Sequence, residues 1–209
     1  MMYAVKEIYY TIQGEGFHSG RPAVFCRFSG CNLWSGREED RYKAICQFCD
    51  TNFWGTDGVE GGKYSKEELV KKIKRLYPKN KLSPFVVFTG GEPALQVTEE
   101  LVTALQDIGF EVAIETNGTL ELPLSMDWVC ISPKANTDIV VTEGDEIKIV
   151  IPQKGIDPKD FENYDFDHFF VQAMESEDWD ENVKYAVDYV MNNPKWRLSV
   201  QTHKYLGID

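Results

Sequence analysis

No apolar run in the sequence approaches the roughly 20 residues that a membrane-spanning helix needs. The stretch Met1-Met2-Tyr3-Ala4-Val5-Lys6-Glu7 lacks the apolar centre of a secretory signal. Positive charge is scarce. There are 22 Lys and Arg against 34 Asp and Glu, a formal net charge of −12. Such a surface repels phosphate backbones, so direct nucleic-acid binding is not expected. Internal repeats, low-complexity tracts, heptads, a phosphate-binding loop and a Ser-His-Asp arrangement are also missing. A soluble, cytoplasmic protein is the expectation these absences leave. Hydrophobic residues at 43% and charged residues at 27% are ordinary globular values. A length of 209 residues suits one domain, 1–209, that folds without staples.

What is present is an odd set of five cysteines: Cys26, Cys31, Cys46, Cys49 and Cys130. In a reducing compartment this count favours metal ligation or thiol redox work over a structural disulfide. The pair Cys46-Gln47-Phe48-Cys49 lacks the strand–helix setting of a thioredoxin-like motif. Three thiolates from Cys31, Cys46 and Cys49 suit three irons of a four-iron cluster, leaving one iron open. A structural zinc site is the rival, with Cys26 or His18 as its fourth ligand. Spacing alone leaves both open.

Short β-rich runs recur at Pro22–Phe28, Phe85–Thr89, Phe110–Glu115, Trp128–Ser132, Glu146–Ile151, His168–Gln172 and Leu198–Gln201. Several are nearly continuous in Val, Ile and Phe, as in strands buried on both faces. Three helices are legible. One follows the capping box Ser65-Lys66-Glu67-Glu68 and stops at Pro78; a second runs from Thr98 to Ile108 before Gly109; a third spans Asp180 to Asn193 before Pro194. Alternation of strand and helix predicts an α/β fold with a parallel sheet. The segments Thr116 to Asp127 and Pro133 to Asp145 are too short for full crossover helices, which points to an abbreviated barrel or open sheet. Polar clusters follow five strands directly and predict a ligand-binding rim at their carboxyl ends.

The pattern Cys31-x14-Cys46-x2-Cys49, followed by Thr89-Gly90-Gly91-Glu92-Pro93 at a strand end, resembles the radical S-adenosylmethionine (SAM) enzymes. Most of those have three residues between the first two cysteines, and this chain has 14. That long insert is similar to the 7-carboxy-7-deazaguanine synthases, as are Gln13-Gly14-Glu15-Gly16 and Gln201-Thr202-His203-Lys204-Tyr205-Leu206. The resemblance runs over essentially the whole chain. It implies a partial radical SAM barrel with its cluster-binding loop at about 31–50. It also implies conversion of 6-carboxy-5,6,7,8-tetrahydropterin to 7-carboxy-7-deazaguanine with loss of ammonia, in 7-deazapurine (queuosine) synthesis.

Carried over by motif, Cys31, Cys46 and Cys49 are implied to hold a 4Fe–4S cluster, and Thr51 to ligate Mg²⁺ through a hydroxyl oxygen that suits that hard ion. Phe48, Cys49, Asp50, Gly91, Glu92, Ser132, Pro133, Lys134, Gln172, Ala173, Met174 and Glu175 are implied to bind SAM, with Glu92 on its ammonium. Ile12, Gln13, Gly14, Glu15, Arg27, Thr89 and Gly90 are implied to face the pterin. Arg27 would fork its carboxylate, and the carboxylate of Asp209 would also reach the substrate. No protein nucleophile is implied, because the deoxyadenosyl radical from SAM does the abstraction. Cys26 and Cys130 read as packing residues. Homodimer formation and a flavodoxin- or ferredoxin-type electron donor are further implications. Two other readings are a glycyl-radical activase, which usually has the three-residue cysteine spacing, and a zinc-stabilised interaction domain.

Overall fold

The computed structural model describes residues 1–78 and 83–208. Nine strands form one sheet: β1 (Tyr3–Ile12), β2 (Pro22–Phe28), β3 (Gly62–Tyr64), β4 (Phe85–Gly90), β5 (Glu111–Thr116), β6 (Trp128–Ile131), β7 (Glu143–Ile151), β8 (Asp165–Ala173) and β9 (Arg197–Ser199). Their order is β3-β1-β2-β4-β5-β6-β7-β8-β9. From β2 to β9 all pairings are parallel, while β1 runs antiparallel to both β2 and β3. The parallel α/β expectation therefore holds, and the sheet stays unclosed. The antiparallel hairpin at its front was not legible in the sequence.

Four helices accompany the sheet: α1 (Lys66–Leu76), α2 (Glu99–Gln106), α3 (Trp179–Asn192) and the short α4 (Thr202–Leu206). The capping box that predicts α1 is formed. The Ser65 hydroxyl accepts from Glu68 N–H at 3.3 Å, and Ser65 N–H donates to the Glu68 carboxylate at 2.8 Å. Leu69 and Ile73 of α1 are fully buried, worth roughly 2–3 kcal/mol each. With α2 they cover the outer face of β1, β2, β4 and β5 in one apolar core. A second core packs α3 on β7 and β8 around Trp196. The links β5–β6 and β6–β7 hold no helix, as their length predicts, and β7–β8 holds only a 3-10 turn at Pro158–Phe161.

The loop from Gln13 to Arg21, between β1 and β2, floors the barrel. Phe17 stacks on His168 at 4.2 Å and on Trp128 at 5.1 Å. His18 packs against Trp128 and Phe85, and Arg21 lies 3.8 Å over the Phe85 ring while forking the Glu111 carboxylate. Phe85, Glu111 and Trp128 open their strands, so this aromatic floor seals the amino ends. Ligand access is left to the carboxyl ends.

Candidate functional site

Those carboxyl ends surround a cavity of about 420 Å³. Its walls come from the floor loop (Gln13, Glu15), β2 (Phe25, Arg27), the cysteine loop (Cys46, Phe48 to Asn52), and the ends of β4 to β8. The start of α4 adds Gln201, His203 and Lys204. Helix α4 is pinned there because Gly14 C=O accepts from the Thr202 N–H at 2.9 Å and from its hydroxyl at 3.0 Å. A Cβ on Gly14 would sit 2.1 Å from His203 Nδ1, so the glycine permits the close approach.

The 14-residue insert between Cys31 and Cys46 is a folded tongue. Trp34 packs edge-on against the buried Phe53 at 5.4 Å, and Arg41 stacks on the Trp34 ring at 4.1 Å. The same guanidinium donates to the carbonyls of Gln47 and Cys49. Cys31 is set by a second device: Gly91 N–H bonds Phe28 C=O and Glu92 N–H bonds Gly30 C=O at 2.9 Å. The Gly-Gly-Glu turn and the first cysteine are thus one construction. A Cβ on Gly91 would lie 2.2 Å from the Gly30 oxygen, which explains the glycine.

Burial raises the Cys31, Cys46 and Cys49 thiols; Cys49 adds to this at Cys31 and Cys46, and Asp50 adds to it at Cys49. Lys134, half-buried and 2.7 Å from Ser132 C=O, partly offsets this at Cys46 and Cys49. The donor set fits an iron–sulfur cluster: three soft sulfurs, a cation beside them, and open space next to Cys46 and Cys49. Zinc fits poorly. Cys26 is fully buried in the first core, and His18 belongs to the aromatic floor. Among the described residues, no three His, Cys, Asp or Glu side chains converge tightly enough for one ion. Zinc needs its sulfurs at about 2.3 Å.

Of the other expected residues, Gln13, Glu15, Arg27, Phe48, Asp50, Thr51, Thr89, Gly90, Gly91, Ser132, Lys134, Gln172, Ala173 and Glu175 line the cavity. The Thr51 hydroxyl donates to Asp50 at 3.3 Å and leaves oxygen lone pairs for a hard cation. Burial works against charge on Asp50, but the Lys204 ammonium at 3.0 Å holds its carboxyl below the usual range. Glu175 pairs with that same lysine.

Five expected residues sit elsewhere. Glu92 is fully buried, and its carboxylate accepts from Thr116 Oγ1 at 2.7 Å, Asn117 N–H at 2.7 Å and Ala94 N–H at 2.9 Å. The Glu92 carboxylate is thus engaged within the protein, where it holds the loops around it. Ile12 pairs with Pro22 at the end of the β1–β2 ladder. Gly14 lies beneath α4, and Pro133 is buried. The backbone of Met174 is tied to Ile151 C=O and to Asn182. Asp209 lies outside the described residues.

Arg27 faces the cavity already engaged, donating to Glu7 at 2.8 Å and to the Tyr9 hydroxyl at 2.9 Å. Its Nη1 remains directed to no protein group among the described residues. Glu115, Lys148 and Gln201 line the cavity without having been assigned roles. Lys148 carried a readable signal: in Glu146-Ile147-Lys148-Ile149, charge alternates with apolar residues inside a strand flanked by neighbours on both sides. One face of such a strand must line a polar space.

Comparison with known proteins agrees with this geometry. The Radical SAM superfamily profile matches residues 43–141, starting after Cys31, as a lengthened cysteine spacing would produce. The 7-carboxy-7-deazaguanine synthase of Burkholderia multivorans is 56% identical over 209 residues, covering all of both chains. That of Caulobacter vibrioides is 52% identical over the same span. The crystal structure of QueE from Escherichia coli superposes with a TM-score of 0.74 at 26% identity, over 96% of this chain and 94% of that one.

Proposed function

Because the chain belongs to the 7-carboxy-7-deazaguanine synthases, radical SAM enzymes, we propose that its cavity converts 6-carboxy-5,6,7,8-tetrahydropterin to 7-carboxy-7-deazaguanine with loss of ammonia. The observation that carries this reading is the sharing of one cavity by the cysteine loop and by a polar wall of Gln13, Glu15, Glu115 and Arg27. When bound, a 4Fe–4S cluster and SAM supply a carbon-centred radical by one-electron cleavage of SAM, and SAM is regenerated at the end.

The chain's own residues bind, orient and shield. Cys31, Cys46 and Cys49 hold the cluster, and Arg41 and the Gly90-Gly91-Glu92 turn fix the loops that carry them. Phe48, Cys49, Asp50, Gly91, Ser132, Lys134, Gln172, Ala173 and Glu175, which line the cavity, would hold SAM. Thr51 would hold Mg²⁺, whose charge would orient the substrate without redox change. Arg27 Nη1 takes the pterin carboxylate in a charge-assisted bond. Gln13 and Glu15 meet the donors and acceptors of the fused pyrimidine edge. The aromatic floor excludes water from below, lengthening the life of a reactive intermediate.

The whole chain acts as one catalytic unit. Among the described residues, no helix is long and apolar enough to cross a membrane. A cytoplasmic homodimer supplied by a flavodoxin- or ferredoxin-type donor completes the reading. The unpaired edge of β9 and the exposed Leu198, Val200, Tyr205 and Leu206 support the dimer. The net charge of −12 suits an enzyme acting on a free base precursor rather than on tRNA.

Anaerobically reconstituted protein, given SAM, Mg²⁺, dithionite and the carboxytetrahydropterin, is expected to release carboxydeazaguanine. Cluster-loaded protein that cleaves SAM but never forms this product would overturn the assignment. Light scattering on size-exclusion fractions checks the dimer.

A further inference from the structure

Lys148 has a buried side chain, 5% exposed, on the inner face of β7. Its Nζ lies 2.6 Å from Glu15 Oε2 and 3.2 Å from Glu115 Oε2. The other oxygens are held as firmly. Glu15 Oε1 accepts from Gln201 at 2.8 Å and from Gln172 at 3.2 Å, and Glu115 Oε1 accepts from Gln13 at 2.7 Å. Five segments of the chain converge on this network, and all five side chains around the lysine line the cavity.

On the functional reading above, we propose that Lys148 is a positioning residue for the pterin. It clamps Glu15 and Glu115 as one ionised pair of acceptors for the 2-amino and ring N–H groups of the substrate.

Two carboxylates reaching toward one buried point repel, and without a cation between them they share a proton. A shared proton would convert one acceptor into a donor and mismatch it to an N–H edge. With the lysine in place, the trio carries two negative charges and one positive, a net −1 that suits donor groups. Neighbouring ionisable groups do not take over this task. Glu146, two residues along β7, accepts from Phe17 N–H at 3.1 Å; Lys134 is engaged by Ser132; Asp50 pairs with Lys204. His203 on α4 and the Cys130 thiol on β6 complete the surroundings. Burial favours neutral Glu15, yet Lys148 and Gln201 bring its carboxyl down to about 2. Burial likewise disfavours charge on Lys148, and Glu115 with Glu15 reverse this. Both directions agree with the geometry.

The test uses holoenzyme with SAM and no reductant, titrated calorimetrically with two stable ligands. One is 6-carboxypterin and the other is 6-carboxylumazine, in which an oxo group replaces the 2-amino group. Wild type is expected to prefer the pterin by about tenfold or more, the worth of one charge-assisted bond gained against an oxygen–oxygen clash. Lys148→Met should bring the ratio close to unity, and Lys148→Arg should restore most of it. A general loosening of the fold would weaken both ligands alike. Lys148→Met protein with normal iron content and an unchanged ratio would overturn the proposal. Should Lys148→Met not fold, Glu115→Gln provides the same reading: a reduced ratio is expected, and an unchanged one contradicts the clamp. Wild type that binds neither ligand and makes no product faults the functional reading instead.

Discussion

Arg41 donates to the Cys49 carbonyl at 3.1 Å and to the Gln47 carbonyl at 2.9 Å, while its plane rests on Trp34. One side chain in the insert therefore holds the loop that carries the second and third thiols. Arg41→Ala is expected to leave the global melting temperature nearly unchanged and to speed cluster loss in air by about tenfold, the equivalent of one charged hydrogen bond. Arg41→Lys should rescue only in part, because an ammonium lacks the planar fork and the stacking face. Decay of cluster absorbance measures both. Equal lifetimes in wild type and Arg41→Ala would remove the clamp from the account.

Glu92 is a buried carboxylate that terminates three donors from the Thr116–Asn117 turn and from Ala94. Glu92→Gln turns one acceptor into an NH₂ group facing those donors. The expected cost is about 1–3 kcal/mol, or a fall of several degrees in melting temperature at this chain length. Calorimetry on cluster-free protein checks it without recourse to activity. An unchanged melting temperature would mean the turn is held by other contacts.

On the proposed reading, the five cysteines divide into three cluster ligands and two packing residues. Cys46→Ala is expected to abolish cluster binding and product formation. Cys26→Ala, in the first core, should keep its full iron content and lose only about 1 kcal/mol of stability from a small cavity. Iron analysis after anaerobic reconstitution separates the two. Loss of metal in Cys26→Ala would revive a four-cysteine site.

The Glu15–Lys148 pair gives stability a defined pH dependence. Glu15 has a folded-state pKa of about 2 against an ordinary 4.5, with burial opposed and outweighed by Lys148. A depressed carboxyl contributes stability above its unfolded pKa and loses it as pH falls through the folded one. The raised ammonium of Lys148 contributes fully below 10.5 and loses its contribution only at higher pH. The melting-temperature gap between wild type and Lys148→Met should therefore shrink steadily as the pH falls toward about 2, because wild type loses the contribution of its depressed carboxyl while the variant, whose carboxyls share a proton, is relieved of repulsion. A gap that widens on acidification would contradict this sign.

Much of this architecture was legible in the sequence for a physical reason. Strands β2, β4, β5 and β8 sit between neighbours and under helices, so their apolar runs are nearly unbroken. Helices α1 to α3 announce themselves by caps and stops at Ser65, Thr98, Gly109 and Pro194. Strand β1 was missed because Lys6 and Glu7 interrupt its apolar pattern, and each is justified only by a distant partner, Asp57 and Arg27. Helix α4 is too short to show periodicity. The cysteine triad stands out by its spacing, but spacing alone leaves iron–sulfur and zinc both open, and the ligand set follows only from the resemblance. The orientation of Glu92 was not legible, because a sequence does not say whether a carboxylate faces a cavity or the turn behind it. Lys148 is half legible: its alternation with Ile147 and Ile149 marks a polar face of the strand, but the Glu15 and Glu115 that meet it lie far away along the chain.

The central claim is that the cysteine loop and the Glu15–Glu115 wall serve one reaction on one substrate. Mass spectrometry of reductant-driven reactions, with SAM supplied at far less than one equivalent per pterin, tests it most directly. The account predicts many carboxydeazaguanine molecules formed per SAM, with SAM recovered intact. Irreversible SAM cleavage without carboxydeazaguanine would contradict it.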